Sequence, residues 1–344
     1  MPVMLPFEQK IRNVRRVADV LGVLAKHGFG DVVQELGFEK LVQQSSRVFG
    51  LRRIVPDFEE LPRKVRLRRV MEELGPTFIK LGQVLSTRPD LIPPEWAEEF
   101  ALLQSDAPRL SHDEVTKRLK EEFGDRIEEI YERIDPAPLA AASMAQAHRA
   151  RLKTGEDVVV KILRPGIAEI TRSDMDAMGF IAEYAESRFS NLGYSPVEVV
   201  NQFARELEKE VDLTHEGRAT DRLRRIFEHD TGVVFPRVFW QATTRNVLTV
   251  EEMKGRLLSD LDPDSVPSSE RRALVENGAR AVLRQCLEVG FFHADPHPGN
   301  LFALEAGAIG FIDCGMTGQL DDRTTQDLAE LVAGVARGDV DMVT

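Results

Sequence analysis

Apolar positions recur every three to four residues through the first part of the chain, then alternate, then return to the helical period. In FEQKIRNVRRVADVLGVLAKHG, Ile11, Val14, Val17, Leu21 and Leu24 fall on one side of a helix, with Arg12, Arg15 and Arg16 among them. The first ~60 residues read as amphipathic helix on this pattern. Such a helix either packs on its own domain or lies on an anionic membrane surface. In LGPTFIKLGQVLSTRPDLIPP, Gly75 then Pro76 predicts a helix start, because proline at the first helical position gives up no needed N–H. Pro89, Pro93 and Pro94 bound its far end. SHDEVTKRL carries a capping box, Ser111 with Glu114, and its helix runs to about Phe123.

From Pro136 the period changes. PAPLAAASMAQAHRARLKTGEDVVVKILRPG predicts two strands, a turn at 154–157 and a third strand, VVVKIL. A helix follows to about Ser190. SPVEVVNQFARELEKEVDLTHEGRATDRLRRIF then reads as one helix opened by Ser195, Pro196 and Glu198. VVFPRVFWQATTRNVLTVEEM returns to strands, and helix dominates again from Ser268. No internal repeat or low-complexity segment is present.

Composition narrows the class. Of 344 residues, 42% are hydrophobic and 30% charged, which fits a globular protein with a substantial core. The net charge of −12 and a pI near 5.2 argue against a nucleic-acid binder, which needs a basic footprint. The two cysteines, Cys286 and Cys314, make neither a disulfide framework nor a zinc ribbon, so a reducing, cytoplasmic setting is expected. There is no signal-peptide pattern and no apolar run of about 18 residues, so the expected relation to a membrane is peripheral.

Lys161 lies inside the apolar strand VVVKIL. It is either an edge lysine facing solvent or a buried one, which requires a carboxylate or phosphate partner. The second reading is the strand lysine of V-A-I-K, which touches ATP phosphates and pairs with a helix glutamate. On a continuous helix after Ser195, Val200, Phe203, Leu207 and Val211 form a stripe roughly 80° wide at about 100° per residue. Glu210 sits about 20° from Phe203 and Glu216 about 140° away, with Asp212 on the opposite side. The expected partner of Lys161 is therefore Glu210, with Asp212 and Glu216 facing elsewhere.

FFHADPHPGNLF raises two chemistries. His293, Asp295 and His297 alternate as zinc ligands could. Alternatively, Asp295 and Asn300 stand at the D-x-x-x-x-N spacing of a kinase catalytic loop, and Asp313 and Gly315 follow as D-x-G. In that chemistry Asp295 orients or deprotonates the attacking group, and Asn300 and Asp313 hold Mg2+ through hard oxygen ligands. The zinc reading leaves Lys161, Glu210 and Asp313 without a role, so the kinase reading is preferred. No glycine loop precedes Lys161. Ala140, Ala141, Ala142 and Ser143 stand in its place, which predicts a stiffer phosphate loop. No A-P-E follows Asp313, which argues against an ordinary protein kinase. By kinase analogy LTVEEMKG is the hinge, with Val250 as gatekeeper and the backbone at Glu251 and Met253 against adenine.

Together these motifs resemble the UbiB family of atypical protein-kinase-like proteins, also called the AarF-domain family. The resemblance runs from about Glu73 onward. It rests on K-x-G-Q at Lys80, Leu81, Gly82 and Gln83, and on the alanine-rich loop. E-x-D stands at Glu210, Val211 and Asp212, D-P-x-x-x-N begins at Asp295, and D-x-G begins at Asp313. The resemblance implies an α+β, atypical kinase-like two-lobe fold with an N-terminal helical extension covering the active site. It implies ATP or ADP with Mg2+ as cofactors, ATPase activity, and support of ubiquinone or related isoprenoid-lipid metabolism. Lipid or quinone precursors and a membrane surface would be partners. Lys80 and Gln83 would point into the cleft, and Lys80 is expected to meet Asp212 or Glu216. Some members carry C-terminal transmembrane helices, and none is present in these 344 residues. The expected division is an amphipathic segment at 1–65, a K-x-G-Q extension at 66–134, a β-rich lobe at 135–253 and a helical lobe at 254–344. A small-molecule phosphotransferase and a nucleotide-binding scaffold are the alternatives.

Overall fold

Prolines and short polar side chains set most of the helix starts. The computed structural model describes residues 6–38, 61–103, 109–189 and 193–338. In chain order come helices α1 (Pro6–Lys26), α2 (Gly30–Glu35), α3 (Arg63–Leu74), α4 (Pro76–Ser86), α5 (Pro94–Phe100), α6 (His112–Phe123) and α7 (Ile127–Ile130). Strands β1 (Tyr131–Ala141), β2 (Ala145–Leu152) and β3 (Asp157–Leu163) follow, then α8 (Ile167–Arg188), α9 (Pro196–Glu210) and α10 (Leu213–Ile226). Next are β4 (Val233–Val234), β5 (Val247–Glu251), β6 (Arg256–Leu257) and α11 (Ser268–Leu283), which runs into a π-helical turn at Arg284–Val289. The last described elements are β7 (Phe291–His293), β8 (Leu301–Ala303), β9 (Ile309–Phe311), β10 (Thr317–Gln319) and α12 (Asp322–Arg337). Among the described residues no helix is long and apolar enough to cross a membrane.

The chain forms two compact units. The first comprises Met1–Leu110, Ala140–Gln146 and Arg164–Val211. Within it, Val17 and Leu21 of α1 pack with Val33, Leu36, Phe38 and Ala177. Arg16, one of the arginines that could have faced a membrane, is an interior tie. Its Nε is 2.5 Å from the fully buried Asp174 of α8, and its Nη2 donates to the Leu74 carbonyl at 2.9 Å. That pair is why a basic residue interrupts the apolar face. Val14 is exposed, while the side chains of Ile11 and Arg12 and residues 39–60 lie outside the described part.

The K-x-G-Q helix α4 is held by close approach. A Cβ on Gly82 would lie 2.1 Å from Leu103 Cδ1 and 2.6 Å from Met71 Sδ. One residue on, Gln83 Nε2 donates to the Leu103 carbonyl at 3.1 Å. The glycine and glutamine of the motif thus fix α4 against α3 and the segment at Leu103.

The second unit comprises Ser111–Leu139, Ala147–Leu163 and Asp212–Thr344. Its four-stranded sheet has the order β1-β2-β3-β5, with β3 antiparallel to β5 and Lys161 opposite Leu248. A second sheet, β4-β9-β8-β6, and a β7–β10 ribbon carry the loops that follow. Their core includes Leu223, Phe227, Val233, Phe235, Phe291, Ile309 and Phe311. Ser111 and Glu114 form the expected capping box at α6.

One expected element is two. The helix after Ser195 stops at Glu210, and Asp212 adopts an extended conformation and caps α10. Asp212 Oδ1 accepts the Thr214 N–H at 3.1 Å and its hydroxyl at 2.7 Å, and Oδ2 is 3.1 Å from Arg245 Nε. An aspartate that caps the next turn competes with continuation of its own helix. The break shifts the rotational phase of everything after it.

We expect Gly82→Val to destabilise the protein by about 1–3 kcal/mol through overpacking, read as a lower urea midpoint. A wild-type midpoint would mean that Leu103 and Met71 move aside freely.

Candidate functional site

Strand alternation places Lys161. Val158, Val160 and Ile162 are fully buried in the core, so Lys161 projects from the other face of β3. Its Nζ donates to Glu216 Oε2 at 2.7 Å and to Asp313 Oδ1 at 3.3 Å. Burial alone would lower the lysine pKa, but the charges of Asp313 and Glu216 outweigh it and hold the pKa above its ordinary value. Lys161 therefore stays an ammonium, able to meet an anion.

The glutamate beside Lys161 is not the one expected. Glu210, the last residue of α9, pairs with Lys80 of α4 within the first unit. Glu216 takes the Lys161 position because α10 starts afresh at Asp212. On that new phase Leu213, Glu216, Gly217, Thr220 and Leu223 share the buried face. Lys80 accordingly meets neither Asp212 nor Glu216, and Asp212 is a helix cap paired to Arg245. The signal available in the sequence was the Asp-x-Thr cap at Asp212 and Thr214.

Asp313 has φ of 49°, in the left-handed region, where a residue with a Cβ is strained. Gly315 keeps the space beside it open. A Cβ there would lie 3.2 Å from Asp313 Oδ1 and 3.6 Å from Glu216 Oε2. Cys314 is fully buried, and burial pushes its thiol pKa up, so it packs rather than reacts.

The D-x-x-x-x-N loop is laced to the D-x-G segment. Asn300 Nδ2 donates to the Asp295 carbonyl at 3.1 Å and lies 3.5 Å from its Oδ2. Ile312 N–H donates to the Asn300 carbonyl at 2.9 Å, and Ala294 N–H donates to the Met316 carbonyl at 2.9 Å. His293 accepts the Asp295 N–H at Nδ1, 3.2 Å away, and donates from Nε2 to the Ile312 carbonyl at 3.1 Å. Both nitrogens of His293 are engaged, so it offers no lone pair to zinc. His297 Nδ1 accepts the Gly299 N–H at 3.0 Å. Among the described residues no group of three His, Cys, Asp or Glu side chains is arranged to hold a metal ion. The donor set that fits a divalent ion is oxygen. With Nδ2 turned to Asp295, Asn300 has Oδ1 to offer, and Asp313 offers a carboxylate that already attracts a cation.

The alanine-rich loop belongs to the first unit. Ala140 and Ala141 end β1, and Ala142 N–H closes a turn on the Ala145 carbonyl at 2.8 Å. Arg164 donates from its main-chain N to the Met144 carbonyl at 2.9 Å and from Nε to the Ala142 carbonyl at 3.0 Å. No residue of this turn has positive φ, so alanine fits where a glycine loop would need glycine. Ser143 is buried in it. In the hinge stretch, Glu251 N–H already donates to the Arg237 carbonyl at 2.9 Å, and Val250 bridges Val238. The Met253 side chain packs close over Gly310.

A strand lysine joined to a helix glutamate and a D-x-G aspartate, with a D-x-x-x-x-N loop in the same unit, defines a kinase-like fold of the atypical kind. The ABC1 atypical kinase-like domain profile matches residues 102–344, and the chain belongs to that family. It is 36% identical over 329 residues to the Probable protein kinase UbiB of Pseudomonas aeruginosa, across 93% of this chain and 61% of that one. It is 40% identical over 279 residues to an uncharacterized protein of Synechocystis sp., across 80% of this chain and 48% of that one. The chain thus spans about half to three-fifths of the length of these relatives. Among solved structures, the erythromycin complex of Rv3197 from Mycobacterium tuberculosis superposes with a TM-score of 0.57 at 22% identity, covering 90% of this chain and 73% of that one.

The pairing has a direct check. In a double-mutant cycle on stability, Lys161 and Glu216 are expected to couple by about 1 kcal/mol, and Lys161 and Glu210 by roughly zero. Equal coupling to both glutamates would contradict the Lys161–Glu216 pairing.

Proposed function

We propose that this protein binds an adenine nucleotide with Mg2+ and transfers or hydrolyses its terminal phosphoryl group. The observation that carries the reading is the single ammonium of Lys161 held between Glu216 and Asp313. That arrangement suits a group that lets go of one carboxylate to meet phosphate oxygens while the other keeps it aimed. Glu216 positions Lys161, and Lys161 binds the phosphates. Asn300 and Asp313 would hold Mg2+, which supplies neutralisation of charge on the phosphate oxygens. Asp295 orients a water or hydroxyl and takes its proton as the new P–O bond forms. The bond to the bridging oxygen breaks, and its electron pair leaves on the nucleoside diphosphate. By the motif resemblance, the alanine-rich loop at Ala140, Ala141, Ala142 and Ser143 takes the nucleotide-binding role of a glycine loop. Glu251's engaged N–H leaves Met253 as the better placed of the two hinge residues for adenine. By the motif resemblance, Lys80 and Gln83 of K-x-G-Q are regulatory, with Glu210 as the partner of Lys80.

The finer reading is an ATPase or atypical kinase that supports ubiquinone or other isoprenoid-lipid metabolism at a membrane surface. The motif resemblance and the UbiB relatives support it.

Mg2+ with ATP or ADP at about 100 times the dissociation constant should stabilise the fold by roughly 2.7 kcal/mol, seen as a thermal shift. The shift should require Mg2+ and disappear in Asp313→Asn. Asp295→Asn should keep the shift and lose ATP turnover. A shift with zinc but none with nucleotide would overturn the reading.

A further inference from the structure

We infer that Gln285, on the π-helical turn after α11, is a positioning residue for the catalytic loop, acting through the main chain of His293. The inference rests on the nucleotide-dependent reading above for its effect on rate, but its geometry stands apart from it.

Leu274 and Ala281 mark the buried stripe of α11, and Gln285 continues it one turn later at 1% exposure. A polar residue at a core position is expensive unless it is bonded. Gln285 Oε1 accepts the His293 N–H at 2.8 Å. That N–H needs a side chain because of the local topology. β7 pairs with β10 alone, with His293 opposite Thr317. Ala294 N–H points to Met316, so by strand alternation the His293 N–H points to the side of β7 that has no strand. Gln285 supplies the missing acceptor.

His293 then distributes that constraint. Its buried imidazole receives the Asp295 N–H on one nitrogen and binds the Ile312 carbonyl, next to Asp313, with the other. Moving the His293 backbone would therefore move the base and the D-x-G aspartate together. The π-turn belongs to this device. Single π-turns within α-helices are rare and cluster at functional sites. Here the turn sits between the α11 stripe and β7. With Oε1 fixed on His293, the amide orientation of Gln285 is set. Its Nε2 is buried and has no acceptor among the described residues.

The test uses the full chain, wild type and Gln285→Met, which keeps the volume and removes the acceptor. Without nucleotide, the wild-type His293 amide should exchange as slowly as core amides, although it lies on an open strand edge. In Gln285→Met the His293 and Asp295 amides should exchange about tenfold faster, while the β3 amides do not change. With Mg2+ and ATP, Gln285→Met should lower kcat by about 10- to 100-fold and change the half-saturating ATP concentration by less than about threefold. A fast-exchanging His293 amide in the wild type overturns the inference, and this needs no variant to fold. So does unchanged loop exchange in Gln285→Met, or a loss of kcat no larger than the loss of folded protein. A wild type that neither binds nor turns over nucleotide would instead sink the proposed function and leave the exchange result to judge Gln285.

Discussion

A lysine on a core strand cannot remain charged without carboxylates, and the second unit is arranged around that constraint. Lys161 has two, from elements far apart in sequence. Glu216 comes from α10 and Asp313 from the segment after β9. Drawing both to one ammonium fixes the register of β3, the phase of α10 and the left-handed turn at Asp313 together. Two carboxylates on one lysine also leave a net negative site. A net negative charge favours a cation there.

Much of this was legible in the chain. The valine run predicts β3 and marks Lys161 as a residue that needs a partner if buried. Asp295, Asn300 and Asp313 were found by spacing and order, and the structure laces their segments together. Glu210 was misplaced for a definite reason. A helical wheel assumes unbroken phase, and Asp212 ends that phase by capping its own successor. The angles of Asp212 and Glu216 reckoned from α9 therefore fail, while Phe203 and Leu207 before the break lie buried as the stripe predicts. Tertiary links that run through main-chain atoms, such as Gln285 to His293 or Arg164 to the alanine turn, leave no periodic trace. Gln285 belongs to none of the motifs read from the sequence.

The same swap gives the first unit its own ion pair. Lys80 and Glu210 join α4 to the end of α9, one residue before the chain enters the other unit. Glutamates six residues apart on a single helix would lie about 120° from each other after one and two-thirds turns. A cap between them lets each reach a different lysine. The E-x-D spacing acquires a physical sense: the glutamate closes one helix, the aspartate opens the next, and the residue between them is the hinge of the phase change.

Glycine and alanine divide the remaining work by need. Gly82 and Gly315 are places where any Cβ would strike a neighbour or crowd the carboxylates. The loop before β2 has no such demand, since its turn closes without positive φ and Arg164 holds its carbonyls. A loop whose carbonyls are already bonded has fewer conformations to lose when a ligand arrives, and fewer ways to follow one that moves. Stiffness there is a property of the turn itself, set by the bonded carbonyls of Ala142 and Met144. In the second unit, His293 ties the Asp295 main chain to the Ile312 carbonyl through its two ring nitrogens, so that neither segment shifts without the other.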